Sequence, residues 1–501
     1  NLYDLNASLL SKGQAVDAVM PERFGFREVA FDGRLVKING NPVNMLMPMP
    51  TQLMSNFGMA ECMRRNHQTY LSDNHFNYYS AAGSEAAEHA DDHFDLCDEA
   101  GFGADLGMSN ISIRKALVNF YAAKGGSLMD DKTYWASLER VLKRGAQRYG
   151  NRPSLFFGIG GGNGGQLEMG GMMNPMKQDG MWVKNFDDRP MMRQLYEVER
   201  RAQAMIRKAD PRRPIIAQDG GNFNDAVHLT HYAGFWNIQE FIESDEYWIK
   251  YGVKPYMITE QSAPWDTDWT TGARLGHNSP SRYPTVAERA AMTKGDAAFR
   301  RTLAEQDEVT QFEERCALIR QKEPKNRGTM QPPLGPLYAF QRSPEAASQY
   351  YTVNYERCRE QWLNWRADGL GLLCDWSPLM GGKPRATREA WASLTGFIAG
   401  NAARRTDKTH IYRPGEFVDR QFIILNNRRD PAKAECRWVI AFDGRDIASG
   451  TSAVELTPGG QATVPIRAEV PRDNADRSGA IRAELLEDGK KIASDSVAIQ
   501  V

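Results

Sequence analysis

Between about residue 43 and residue 400, short apolar runs alternate with longer amphipathic stretches. The apolar runs fall at 43–47, 75–80, 103–106, 154–159, 214–218, 226–231, 255–260 and 370–375, and each has the length of a strand. Helical periodicity fills intervals between them, at 85–100, 132–148, 191–209 and 346–366. Repeated β→α units in one block predict a closed parallel (β/α)₈ barrel over an open sheet.

The pattern differs on both sides of this block. Residues 30–43 alternate and carry the turn signals Asp32-Gly33 and Asn39-Gly40, which suit hairpins. Residues 1 to about 44 therefore read as the tail of a β-domain. From about Thr409 the helical period vanishes, and runs at 421–425, 436–442, 461–466 and 480–486 are separated by turns. That spacing predicts a small β-sandwich over 409–501. Between the seventh and eighth barrel strands lies an excursion at about 276–341, charged, partly helical over 286–320, then rich in Pro and Gly. Loops of this length are usually functional or disordered. On a barrel it would emerge on the catalytic face, as a lid, a substrate wall or a plain surface excursion.

The run at 255–260 ends on Glu260. A charge at the carboxyl end of a buried strand is costly to desolvate, and on a parallel barrel that position is where catalytic groups stand. The plainer reading is a structural carboxylate tied to a neighbouring Arg.

Composition narrows the classes. With 41% hydrophobic and 25% charged residues the chain is of ordinary globular type, and its formal net charge of −1 argues against an electrostatic nucleic-acid binder. No apolar run reaches the roughly 20 residues of a membrane helix. The 11 Trp and 18 Tyr suit sugar rings, although most aromatics serve the core. Six scattered cysteines lack metal-type spacing, so buried free thiols are expected rather than disulfides. The chain opens on strand-like sequence without Met, as a processed or truncated protein would.

Several motifs, in order, resemble glycoside hydrolase family 2, the β-galactosidase and β-glucuronidase superfamily. Arg23-Phe24-Gly25-Phe26-Arg27-Glu28-Val29, followed by Asn39-Gly40-Asn41-Pro42-Val43, is similar to the family's passage from its β-domains into the barrel. Phe94 to Phe102 is similar to the helix ending in "DLCDEAG", and Asn151-Arg152-Pro153-Ser154 to the "NHPS" start of the fourth strand. The seventh strand is similar to the family's nucleophile strand, and Asp375-Trp376-Ser377 to its eighth. The resemblance implies a (β/α)₈ barrel over 29–408, an Ig-like remnant over 1–28 and an Ig-like β-sandwich over 409–501. It also implies a chain that lacks the family's N-terminal jelly roll.

By the same resemblance Glu260 is the nucleophile of a retaining hydrolase acting on a β-linked sugar, galactoside- or glucuronide-like. Such enzymes need a second carboxyl group about 5–5.5 Å away as acid and base. The family's Glu falls here on Gly162 or Asn163, neither of which can serve as an acid. The Arg expected on the second strand and the "RGVN" end of the first are also replaced, by Asn77-Tyr78-Tyr79-Ser80 and Met47-Pro48-Met49-Pro50. General acid–base assistance is worth roughly 10²–10⁴-fold, so a lone nucleophile would still cleave activated glycosides. Glu168 is the candidate replacement donor; His231, Tyr232 and Asp219 are further candidates, each with a plainer reading as a sugar or loop contact. Asn163, Asp219, His231, Tyr232 and Asp375 are candidate hydrogen-bonding groups for sugar hydroxyls. Trp265 and Trp376 could stack on a pyranose or simply pack.

Gly160-x-Gly162-x-x-Gly165 also matches a dinucleotide fingerprint, but the glycines and proline that follow make a poor helix, so that reading is weak. The main rival is a catalytically impaired barrel that binds carbohydrate. No organic cofactor and no metal site is expected, although some family members use Mg²⁺ or Na⁺. The expected partner is a carbohydrate, with neither nucleic acid nor membrane; a homo-oligomer is allowed. An extracellular or periplasmic location is favoured over a cytoplasmic one.

Overall fold

The computed structural model describes residues 2–19, 21–48, 75, 77–80, 90–106, 111–159, 190–216, 224–231, 238–261, 344–375, 383–473 and 475–501. The predicted excursion at 276–341 lies outside them.

At the N-terminus β1 (Tyr3–Leu5) pairs with β4 (Glu22–Phe24), and β2 (Ser8–Ser11) with β3 (Gln14–Ala18). A three-stranded meander follows, made of β5 (Val29–Asp32), β6 (Leu35–Ile38) and β7 (Asn41–Pro42). The two-residue turn Asn39-Gly40 has φ of 50° and 80°. Both residues are left-handed, which fits the twist of a tight hairpin and explains the Asn-Gly signal.

The predicted strand block forms two four-stranded parallel sheets. One runs in the order β12 (Ile215–Ile216), β11 (Leu155–Ile159), β10 (Gly103–Leu106), β9 (Tyr78–Ser80). The other runs β13 (Val227–His231), β14 (Tyr256–Gln261), β15 (Leu372–Asp375), β8 (Met45–Pro48). Their edges are bonded to one another at two places. Asn77 N donates to Leu46 O at 3.2 Å between β8 and β9, and Asp225 N to Ile215 O at 3.1 Å between β12 and β13.

Alternation along these strands sorts side chains into two cores. Met45, Met47, Tyr78, Phe157, Ile216, Met257 and Leu372 pack together with the meander side chains Val36 and Phe31. Their chain neighbours Leu46, Ile258 and Leu373 instead pack against helical residues such as Phe94, Trp362 and Trp365. Burial on both faces is why the strands read as continuous apolar runs.

Helices α1 (Ala90–Ala100), α2 (Ile111–Ala122), α3 (Lys132–Tyr149), α4 (Pro190–Ala209), α5 (Ile238–Ile242), α6 (Glu246–Tyr251), α7 (Pro344–Asp368) and α8 (Lys383–Ala390) intervene. The α3 helix buries Trp135, Leu138, Leu142, Gly145 and Tyr149, a single 3–4-spaced stripe. Its start is fixed by Asp131, which accepts from Tyr134 N at 2.9 Å. Such a cap is worth about 1 kcal/mol.

The C-terminal part has two antiparallel sheets. One is β16 (Leu394–Ala399), β17 (Phe417–Asn426) and β20 (Gln461–Glu469); the other is β19 (Arg445–Leu456), β18 (Ala432–Phe442), β21 (Ser478–Glu487) and β22 (Lys490–Gln500). Phe422, Ile424, Val464 and Ile466 from the first share a core with Cys436, Ile440, Ile481 and Leu485 from the second. The sequence reading did not predict β16, and it lies before Thr409. Its LTGFIA run is buried throughout, so it lacks the alternation that marks a two-faced strand.

Arg359 ties this part to the helical layer, contacting Glu389 at 3.0 Å and Asp495 of β22 at 3.1 Å. Asp495 also accepts from Ile398 N at 2.7 Å. Cys97, Cys358 and Cys436 are buried free thiols, and no helix among the described residues is long and apolar enough to cross a membrane.

Candidate active site

Parallel pairing brings the carboxyl ends of neighbouring strands to one rim, and register decides which residues meet there. His231, Gln261, Asp375 and Pro48 stand side by side across β13, β14, β15 and β8. Glu260 is in register with Thr230, whereas Ile258 is in register with Leu229. Thr259 is therefore an extra residue, a bulge. Bulges of this kind are common beside active sites, because they change the alternation of the residues beyond them. Of the sequence-derived candidates, the fold thus brings Glu260, His231 and Asp375 to neighbouring strand ends. Asn163, Glu168, Asp219, Tyr232, Trp265 and Trp376, with Gly162, lie outside the described residues.

The sequence reading missed one buried acid near this rim. Asp105, the third residue of β10, is paired in register with Ser80 and Phe157 and is 1% exposed. Tyr78 Oη donates to its Oδ2 at 2.8 Å. Burial first, then the adjacent Asp105 carboxylate, pushes the Tyr78 phenol well above its ordinary value. Tyr78 therefore keeps its proton and remains a donor. The signal was available: an acid near the end of a short apolar strand, the criterion that singled out Glu260.

Beneath the rim, Asn77 locks the junction of β8 and β9. Its Oδ1 accepts from Leu46 N at 2.8 Å, and its Nδ2 donates to Asn44 O at 3.0 Å. Asn77 stands near where the family resemblance led one to expect an Arg, so the replacement has a structural task of its own. Among the described residues, no group of three or more His, Cys, Asp or Glu is arranged to hold a metal ion.

No protein-family model matches the chain, and no curated protein matches it. Solved structures do. A β-D-mannosidase from Dictyoglomus thermophilum superposes with a TM-score of 0.55 at 13% identity, over 99% of this chain and 56% of that one. An exo-chitosanase from Amycolatopsis orientalis, in complex with PNP-β-D-glucosamine, gives 0.55 at 13% identity, over 99% and 54%. The same exo-chitosanase in a second structure gives 0.52 at 14% identity, again over 99% and 54%. The chain spans about half the length of the solved structures it matches. At such identities the likeness concerns the fold, and the fold of this chain is like that of glycoside hydrolase family 2.

Proposed function

We propose that the chain is a retaining β-glycoside hydrolase built on a (β/α)₈ barrel, followed by a β-sandwich. The observation that carries this reading is the register at the rim, where Glu260 follows a bulge between the strand ends that bear His231 and Asp375. The bonds joining the two parallel sheets at β8–β9 and β12–β13 support closure of the barrel. The matched mannosidase and exo-chitosanase support a glycoside as the substrate class.

In this reading Glu260 attacks the anomeric carbon as the leaving oxygen departs, giving a glycosyl ester. Water then releases the sugar with net retention. Glu168 is the proposed proton donor, and His231, Asp375 and Asp219 orient hydroxyls. With Gly162 or Asn163 in place of the family's acid, poor leaving groups depend on that substitute donor. Aryl β-glycosides with acidic phenols should therefore be the best substrates, because they leave with least help.

A panel of p-nitrophenyl β-glycosides tests this. Glu260→Gln should abolish turnover on every accepted sugar. Glu168→Gln should lose activity on alkyl glycosides far more than on activated aryl ones. Equal turnover by the wild type and Glu260→Gln would refute the assignment.

The Gly160 to Gly165 run, which holds no acid, favours a second reading: a barrel that binds carbohydrate without cleaving it. That reading predicts sugar binding by the wild type and Glu260→Gln alike, with no turnover in either.

A further inference from the structure

At the opposite end of the parallel strands, a groove of about 650 Å³ lies between the β5–β6 hairpin and the segments leading into β12, β13 and β14. Arg207, Arg212, Arg213 and Lys254 line it, with Asp225 as the carboxylate among the lining residues. Arg213 and Lys254 are each more than nine-tenths buried, at 7% and 8% exposed. Asp225 is already engaged, accepting from Arg207 at 2.8 Å and from Ile215 N at 2.7 Å. Asp210, behind the wall, is shared by Arg212 and Arg213.

Positive charge is in excess at this place. Arg27 adds another guanidinium; its Nη2 donates to Arg152 O at 2.9 Å, while its buried Nε has no partner. Burial, and then repulsion from Arg213, lowers the Arg27 pKa to about 9. Asn224 lines the groove and is also oriented. Its Oδ1 accepts from Gln203 and its main-chain O from Lys254, which leaves Nδ2 a buried donor without a partner. The guanidinium groups of Arg212 and Arg213 lie close together, both donating from Nη2 to Gly150 O, at 3.4 and 2.7 Å.

We propose that this groove binds a tetrahedral oxyanion, a phosphate or sulfate group, with Arg212 and Arg213 as its principal contacts and Lys254 adding charge. Paired guanidinium groups match the spacing of oxyanion oxygens, and a partly dehydrated wall strengthens each charge-assisted hydrogen bond. The site stands at the amino ends of the strands and is independent of the glycosidase reading.

The test is calorimetric and thermal-shift titration of the full chain with sodium phosphate and, separately, sodium sulfate, at ionic strength held constant with sodium chloride. Saturable binding of at least one oxyanion is expected, and the anion that binds tells phosphate from sulfate. Arg212 is 67% exposed, so Arg212→Gln should leave the unliganded melting temperature unchanged while weakening binding about tenfold. Arg212→Glu should abolish it. Glu260→Gln should bind as the wild type does, which separates this site from the catalytic one. Absence of a saturable response to either oxyanion, or wild-type affinity in Arg212→Glu, would overturn the proposal.

Discussion

In the account proposed above, the helical layer and the carboxyl rim of the parallel strands put their acids to different uses. Between α2 and α4, Arg114 and Glu199 are each 1% exposed and form a two-pronged ion pair at 2.5 and 2.6 Å. Each charge there is answered by the other, and the pair serves the packing of two helices. At the rim, Glu260 is the penultimate residue of β14 and follows the buried residues Tyr256, Met257 and Ile258. Asp105 accepts a hydrogen bond from the Tyr78 phenol. The buried acid Glu199 thus holds two helices together, whereas Glu260 is the residue proposed to do chemistry.

Substitutions can break or sharpen that contrast. The largest effect is expected at the rim: Glu260→Gln should lower kcat for aryl β-glycosides by at least about 10³-fold, roughly 4 kcal/mol of barrier, with no loss of melting temperature. Kinetics together with calorimetry on one sample check both halves. In the shell the outcome should invert. Glu199→Gln leaves Arg114 buried without its counter-charge, which costs about 3–5 kcal/mol of stability. Denaturant unfolding measures it, and the surviving folded fraction should keep its kcat. If either variant loses activity and stability together, the division between rim and shell fails.

Tyr78→Phe tests the intermediate case. Removing the donor to Asp105 should cost about 1.5–3 kcal/mol of stability, the worth of a hydrogen bond to a charged group. Chemical denaturation should find the loss even where the rim remains active.

A smaller, pH-dependent effect is expected at Asp245. Its side chain is buried at the start of α6, and both carboxylate oxygens lack a hydrogen-bond partner. Burial, followed by the nearby Asp368 charge, pushes it well above the usual carboxylate range; Arg405 opposes this and Glu246 adds to it. An unfolded Asp releases its proton near pH 3.9, while the folded one keeps it to higher pH. The folded state therefore binds more protons in that interval, and this contribution to stability declines as pH rises through it. Asp245→Asn removes the decline. Its melting temperature should gain on the wild type between pH 5 and pH 8, and a constant difference would contradict the assignment.

The parallel strands were legible because burial on both faces leaves an unbroken apolar signature, as in Tyr256 to Ile258. Helix α3 was legible from its 3–4 spacing and its Asp131 cap. What could not be read depends on distance along the chain. Arg114 and Glu199 are 85 residues apart, and Tyr78 and Asp105 27 apart, so no local pattern announces either pair. The bulge at Thr259 is likewise invisible in sequence, since only the neighbouring strand defines the register it breaks. At the rim, sequence pointed to Glu260, His231 and Asp375, and the backbone sets them on adjacent strands. The proton donor had no such signature, because the glycine run removes the residue type by which it would be found.

The central claim is that Glu260 forms a bond to sugar. Incubation with an activated 2-fluoro glycoside, followed by peptide mapping by mass spectrometry, measures this directly. The account predicts one glycosyl adduct per chain, on the peptide containing Thr259-Glu260-Gln261, and none in Glu260→Gln. An adduct on another carboxylate, or turnover of the reagent's parent glycoside without any adduct, would contradict it.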